Sequence, residues 1–445
     1  MTDNSTQDQP AAVPRGAKQA GEIRGRWPWV EASVWTERML TALEQGVKGG
    51  KWFSLVDKVY ARGNLRSAFA QVRRNKGSAG VDHQTAEMFE RRLDENLEDL
   101  ARTLADGSYR PQAIRRVEIP KPGSREKRPL GIPTVRDRVA QTAIRNVLEP
   151  IFERDFAEHS YGFRPGRGCK DALRRVANLL RDGYQHVVDA DLKRFFDTIP
   201  HEKIMEGLKA KVSDGRMLSL IERYLTQKVM DGLAEWTPEE GTPQGAVLSP
   251  LLANISLDGL DHQMAQAGYE MVRYADDFVI LCRTREEAER ALALVKEWTA
   301  QAGLTLHPEK TRLVDAASGE SFEFLGYRFH KGRRWPRRKS VKKLRDAIRA
   351  KTRRANGESL DTIIKAVNPT LRGWFEYFKH AAKAAFEPLD GWVRMRLRSI
   401  LRKRRGGKGR GRGADHQRWP NAFFEGLGLY SLAAAYAKEC QPLKR

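Results

Sequence analysis

From Ala140 onward the apolar residues fall at Ala140, Ala143, Ile144, Val147 and Leu148, the spacing of one buried helix face. A second stripe follows Gly168, with Leu173, Val176, Ala177 and Leu180. A third crosses 284–302. There Thr284 and Glu287 make a capping-box pattern, Ala288, Ala291, Leu292 and Val295 form the buried face, and Gly303 ends the helix. Residues 31–70 are also patterned as helix, ending near Gly63-Asn64. Short β-prone runs lie between these stripes, at 116–119, 186–192, 270–274, 278–281 and 322–329. Residues 120–128 read as a polar turn. Helices mixed with antiparallel-type strands predict an α+β fold rather than a doubly wound sheet.

The two ends differ from this middle. Residues 1 to about 30 are polar and rich in Gln, Pro, Ala and Gly, which predicts a mostly disordered lead-in. From 331 to 354, 13 of 24 residues are Lys or Arg and Asp346 is the single acid. Val341, Leu344 and Ile348 supply a buried stripe there, so the cations crowd the other face. Three further helical stretches are expected. Trp374, Phe375, Tyr377 and Phe378 belong to one and are read as core, because four aromatics in five residues cannot all face solvent. Val393, Leu397, Ile400 and Leu401 belong to the last. Residues 402–412 hold seven cations and four glycines and read as a flexible basic loop, followed by an apolar coda near 419–436.

Charge narrows the partner. A net charge of +23 and a pI near 10.0 call for a polyanion, most simply nucleic acid. Cys169, Cys282 and Cys440 form no CxxC pair, which argues against structural zinc and against a disulfide framework. No apolar run is long enough to span a bilayer, and the N-terminus resembles neither a signal nor a transit peptide. These features predict a cytoplasmic protein with no membrane partner. They set no oligomeric state.

The candidate chemistry lies in carboxylates. Tyr274-Ala275-Asp276-Asp277 sits between two β-prone runs, as at a hairpin. A solvated acidic turn fits that tetrapeptide equally well. The run 186–192 adds a second element. Period two places Val188, Ala190 and Leu192 on one face and Val187, Asp189 and Asp191 on the other. A carboxylate at that strand end can meet the hairpin acids across a sheet. Three such groups could hold two Mg²⁺ ions roughly 3.5–4 Å apart. Asp189 stands about 6.6 Å from Asp191 along the strand, too far to share a metal with it.

The order of motifs resembles the reverse transcriptases. After Asp191 come Gly241-Thr242-Pro243-Gln244-Gly245, then Tyr274-Ala275-Asp276-Asp277, then the segment from Gly303 through Pro308 to Lys310, then Phe324-Leu325-Gly326-Tyr327. The chain is similar in particular to the group II intron maturase family, in the form lacking the endonuclease domain. That likeness rests on Asn75 to Asp82, on Pro129-Leu130-Gly131-Ile132-Pro133 and on Tyr161-Gly162-Phe163-Arg164-Pro165. It covers about 45–436.

The resemblance implies a right-hand polymerase. Residues 1–56 would be an N-terminal extension, 57–330 the fingers and an antiparallel palm, 331–400 an α-helical thumb or maturase domain, and 401–445 a basic C-terminal segment. It implies Asp191, Asp276 and Asp277 as catalytic and metal-binding, with the Leu192 carbonyl as a further ligand. Phe196 would exclude a ribose 2′-hydroxyl, and either Phe195 or Phe196 would be core. Gln244 would touch the incoming deoxynucleotide, on a loop held by Ser249-Pro250, which cap and open a helix. Arg115, Lys121 and Arg128 would grip its triphosphate, and Lys310 would stand near the leaving pyrophosphate as a general acid. The implied activity is RNA-directed DNA synthesis, with intron RNA bound to assist splicing and retrohoming by target-primed reverse transcription. The implied partners are intron RNA, an RNA template and a DNA primer or target. Two other readings fit the same chain: a splicing cofactor without polymerase activity, and a domesticated reverse transcriptase of defence or repair. The chain ends at Arg445 without paired cysteines, so second-strand cleavage is not expected. The basic loop at 402–412 is then the candidate DNA contact, and its removal should lower DNA affinity at moderate salt.

Overall fold

The computed structural model describes residues 20–120, 127–355 and 357–439. The chain divides into two compact units. Among the described residues, one takes 20–120, 127–179 and 188–313, and the other takes 180–187 and those from 314 to 439.

The first unit is built around the helix Val135–Glu153, whose inward residues Val139, Ala143, Ile144 and Val147 are wholly buried. Thr134 caps it by accepting from the Asp137 N–H at 3.1 Å. Buried polar groups fasten neighbouring segments to it. Asn64 donates to the Ala143 carbonyl at 3.0 Å, and Gln141 accepts from the Val247 N–H at 2.9 Å. Asn64 lies inside a helix, Arg62–Arg74, so the helical pattern does not stop at Gly63-Asn64. That helix is held by the buried Asn64 contact, which local propensity does not register. The N-terminal reading also shifts. Residues 1–19 lie outside the described residues, but Ala20–Arg26 is a helix. Trp35 is fully buried and its indole N–H donates to the Asn146 carbonyl at 2.9 Å. Residues 30–56 therefore contribute to the core of the first unit rather than extending from it.

Two sheets carry the site. One has the strand order Lys127–Ile132, Ile114–Pro120, Val229–Asp231, Ala234–Trp236. Its first pair is antiparallel, with Arg116 opposite Gly131 and Ile119 opposite Arg128. The polar turn expected at 120–128 is thus shorter, because 127 and 128 already belong to a strand; residues 121–126 lie outside the described residues. The other sheet has the order Glu270–Tyr274, Asp277–Cys282, His186–Asp191, Arg312–Asp315. The helix Arg285–Gln301 follows with its predicted cap: the Thr284 hydroxyl accepts from the Glu287 N–H, and Glu287 accepts from Arg283 N–H at 2.9 Å.

In the second unit, the run at 322–329 is a hairpin, Ser321–Phe324 with Tyr327–His330, turning at Leu325-Gly326 with both φ positive. Helices Arg338–Lys351, Leu360–Phe378 and Glu387–Arg404 bury Leu344, Ile348, Phe375, Phe378, Val393 and Leu397. The basic stretch at 402–412 is not a free loop. Residues 402–404 are the last helical turn, and Arg402 reaches Asp415 at 2.7 Å. Gly411 is buried and its N–H donates to Ser399 at 3.0 Å. A Cβ on Gly411 would lie 2.5 Å from that of Arg398. Further on, Asp390 accepts from Leu432 N–H and Ala433 N–H at 2.9 and 3.0 Å, capping the helix Leu432–Glu439. Residues 401–439 are therefore packed into the second unit. Deleting 402–412 would remove a helix end as well as charge.

The most demanding buried group is Arg273, fully inaccessible in the strand Glu270–Tyr274. Its guanidinium binds Asp261 at 2.8 and 3.0 Å, Asn254 at 3.0 Å and the Ala275 carbonyl at 2.9 Å. Removing one partner of such a pair leaves a buried charge alone and costs about 3–5 kcal/mol. Arg273→Met should lower unfolding stability by that amount in a denaturant titration. Arg273→Met with Asp261→Leu should recover most of it; no recovery would show that the charges themselves are not what the core requires.

Candidate active site

The strand His186–Asp191 buries Val188 and Ala190 and leaves Asp189 and Asp191 partly exposed, as alternation predicts, but Val187, expected on the face of the acids, is buried too. Its end is tied to a second segment. The Asp191 carbonyl accepts from His307 N–H at 2.7 Å, and Lys193 N–H donates to the Thr305 carbonyl at 2.8 Å. Leu192 and Leu306 bridge antiparallel between them. This clasp carries Lys310 to Asp191, where the ammonium pairs with the carboxylate. Asp189 is engaged instead by Arg312 at 3.2 Å.

The Tyr274-Ala275-Asp276-Asp277 segment is a two-residue hairpin turn, since Tyr274 pairs with Asp277. Ala275 takes φ +59°, a left-handed conformation that costs a non-glycine residue about 1 kcal/mol. Two neighbours hold it there. Arg273 binds the Ala275 carbonyl, and Gly162 lies directly against the turn, where a Cβ would come within 2.2 Å of the Ala275 nitrogen. Asn254 joins the two by donating to the Gly162 carbonyl at 2.8 Å. The glycine of Tyr161-Gly162-Phe163 is thus required by the turn.

Strand order puts the Asp277 strand beside the Asp191 strand. Burial raises the Asp276 carboxyl above its usual range, and the charge of Asp191 raises it further; Arg128 and Lys310 pull it down. Asp277 opens the second strand, half-buried. Among the described residues no three His, Cys, Asp or Glu side chains form a ready-made metal cage. The donors near the strand ends are all oxygen, the set that suits Mg²⁺, and the Asp191–Asp276 repulsion is the kind a divalent cation relieves.

A cavity of about 450 Å³ in the same unit has a lining that includes Arg116, Arg194, Phe196, Asp197, Trp236 and Gln244. Phe195 and Phe196 are both buried in the core, at 1% and 9% exposure, and Phe196 also lines the cavity. Gln244 accepts from Arg128 Nε at 2.5 Å and donates to Asp197 at 3.4 Å. Its carbonyl accepts from Gly131 N–H at 2.7 Å, and a Cβ on Gly245 (φ +107°) would meet the Gly131 carbonyl at 2.7 Å. The Pro-Leu-Gly and Pro-Gln-Gly segments therefore require each other's glycines. Ser249 does not cap the helix Ser249–Gln266. It lies in the first turn, bonded to Thr242 and the Pro243 carbonyl at 2.6 and 2.7 Å, and secures the loop that way.

Arg115 is not among the residues lining the cavity; Arg116 is, with its guanidinium 5.6 Å from the centre of the Trp236 ring. The two alternate along one strand, so only one of them faces a given side. Lys121 lies outside the described residues. The register puts Arg115 on the face of Arg128. Motif reading missed Asp197 and the Arg273–Asp261–Asn254 group. The available signal was a lone arginine between Val272 and Tyr274 in a β-prone run.

Two family models and several curated relatives match this chain. The family model described as "Reverse transcriptase (RNA-dependent DNA polymerase)" matches residues 119–329, and "Group II intron, maturase-specific domain" matches 341–419. Group II intron-encoded protein LtrA of Lactococcus lactis subsp. cremoris is 38% identical over 201 residues, 45% of this chain and 33% of that protein. The chain thus spans a third of that relative's length. Protein YkfC of Escherichia coli K12 is 33% identical over 288 residues, 56% of this chain and 75% of that protein. Among solved structures, a chain of a partial Cas6-RT-Cas1–Cas2 complex is 26% identical, covering 56% of this chain and 41% of that one, at a TM-score of 0.37. No described helix is long and apolar enough to cross a membrane. Matched by both models in the order its motifs predict, the chain belongs to the group II intron reverse transcriptase and maturase family.

Proposed function

We propose that the chain is an RNA-directed DNA polymerase that also binds intron RNA to assist splicing and supports target-primed reverse transcription. The observation that carries this reading is the meeting of Asp191 with the Ala275-Asp276 turn, under the charges of Lys310 and Arg128. Asp191, Asp276, Asp277 and the Leu192 carbonyl would hold two Mg²⁺ ions. When bound, such ions lower the pKa of a primer 3′-hydroxyl and neutralise charge developing on the phosphate.

The chain's own residues then divide the remaining work. Phe196 closes one side of the cavity and excludes a 2′-hydroxyl by contact. Gln244, oriented by Arg128 and Asp197, meets the incoming deoxynucleotide. Arg115 and Arg128, which the register puts on one face of the hairpin, bind its triphosphate by charge-assisted hydrogen bonds. Lys310 leaves Asp191 for the departing pyrophosphate and gives it a proton. The cation-rich helix Arg338–Lys351 follows the phosphate backbone of the RNA.

Primer extension on an RNA template with Mg²⁺ and deoxynucleotides tests the reading. Asp276→Ala should lower synthesis by at least roughly a hundredfold, beyond what loss of a supporting residue costs, with RNA binding retained. No synthesis from either protein, with tight RNA binding intact, would leave the splicing-cofactor reading in its place. Phe196→Ala should raise ribonucleotide incorporation roughly tenfold or more relative to deoxynucleotide. An unchanged ratio in single-nucleotide kinetics would remove Phe196 from sugar selection.

A further inference from the structure

A second cavity, of about 160 Å³, lies within the C-terminal unit and is lined by Arg349, Arg354, Trp392, Met395, Arg396, Ser399 and Arg410. Four of its seven lining residues are arginines and none is acidic. These arginines come from three segments: the helix Arg338–Lys351 and its end, the helix Glu387–Arg404, and the glycine-rich loop after it. Asp346 pairs with Arg349 at 2.5 Å. Neither Arg354 nor Arg410 has an acidic partner among the described residues.

The cluster is preorganised rather than incidental. Arg396 donates through Nε and Nη2 to the hydroxyl and carbonyl of Thr352, at 2.6 and 2.7 Å, and Thr352 is itself 1% exposed. Burial lowers the Arg396 pKa, and so do the charges of Arg349 and Arg354, so these cations repel at the site. Ser399 holds the loop carrying Arg410 through the Gly411 N–H at 3.0 Å. A protein that fixes mutually repelling cations around a cavity gains when an anion enters it.

We propose that this cavity seats a single phosphate group of a nucleic-acid backbone. Its volume is well below the roughly 300–1,000 Å³ of a pocket for a drug-sized ligand, so it has room for a phosphate and not for a nucleotide. Trp392 is not available as a platform for a base. The guanidiniums of Arg345, Arg349 and Arg396 already lie 5.6, 5.7 and 5.6 Å from its ring centre. The fork geometry of arginine suits phosphate oxygens. Nucleic acid is favoured as the source because the chain carries +23 and a maturase-specific domain. To that extent the proposal rests on the RNA-binding part of the proposed function, but not on polymerase activity.

The test uses the full chain and two exposed positions, Arg354→Gln with Arg410→Gln. Lys342→Gln with Lys343→Gln, on the same basic helix but outside the cavity, removes equal charge as a control. Thermal midpoints are measured against inorganic phosphate at constant ionic strength, and binding of an RNA hairpin is measured across salt concentrations. The expected result is a saturable rise in midpoint for wild type and control and none for the cavity variant. RNA affinity of the cavity variant should fall roughly tenfold, with a salt slope smaller by about one, and by more than in the control. Equal phosphate stabilisation of all three proteins would overturn the site. Phosphate stabilisation confined to wild type and control, with RNA affinity unchanged in the cavity variant, would overturn the nucleic-acid assignment and make the ligand free phosphate. Primer extension run alongside keeps this outcome separate from failure of the polymerase reading.

Discussion

Burying a guanidinium beneath a strained turn is the constraint on which the site depends. Arg273 is inaccessible to solvent, and Asp261, Asn254 and the Ala275 carbonyl supply its partners. The same contacts fix the turn in a conformation that alanine does not prefer. Gly162 gives the turn room, and Asn254 ties Gly162 to the same arginine. Three separate stretches of sequence are thereby held to one backbone geometry, and the two aspartates that follow Ala275 inherit their placement from it.

The acids so placed are balanced by cations delivered through backbone pairing. The clasp between 191–193 and 305–307 brings Lys310 onto Asp191. The antiparallel hairpin of the other sheet sets Arg128, which grips Gln244 and draws the Asp276 carboxyl down against the effect of burial. Neither cation lies near its acid in sequence. Register, set by the hydrogen-bond ladder, decides which charges meet.

The C-terminal unit handles charge differently. Its aromatic interior, with Phe375 and Phe378 buried, frees helix surfaces to carry cations. Where these cations are held rigidly they use backbone and hydroxyl acceptors, as Arg396 does on Thr352 and Arg398 on the Trp419 carbonyl at 2.8 Å. That arrangement keeps the positive charge uncancelled. Other cations of this unit are paired with acids, Arg402 with Asp415 and Arg349 with Asp346, while Asp390 caps a helix.

Much of this was legible along the chain. Period-two alternation identified the Asp191 strand, 3.6-residue stripes identified the long helices, and the ordered motifs located the acids, Gln244, Phe196 and Lys310. Those are local signals, written in spacing. Local reading failed wherever a distant partner decided the matter. Gly63-Asn64 read as a helix end because its buried contact to Ala143 lies 79 positions away. The glycines of 402–412 read as flexibility because Ser399 and Arg398, which pack against Gly411, belong to another element. Arg116 and Arg115 could not be told apart until strand register gave each a side. Arg273, Asp261 and Asn254 carry no motif, since a buried charge network is defined by who meets whom. The sequence by itself determined the family, most of the elements and the candidate side chains, because each is encoded over a few residues. Only the tertiary structure decided which charges face one another, because burial and cross-strand pairing join residues that the chain keeps apart.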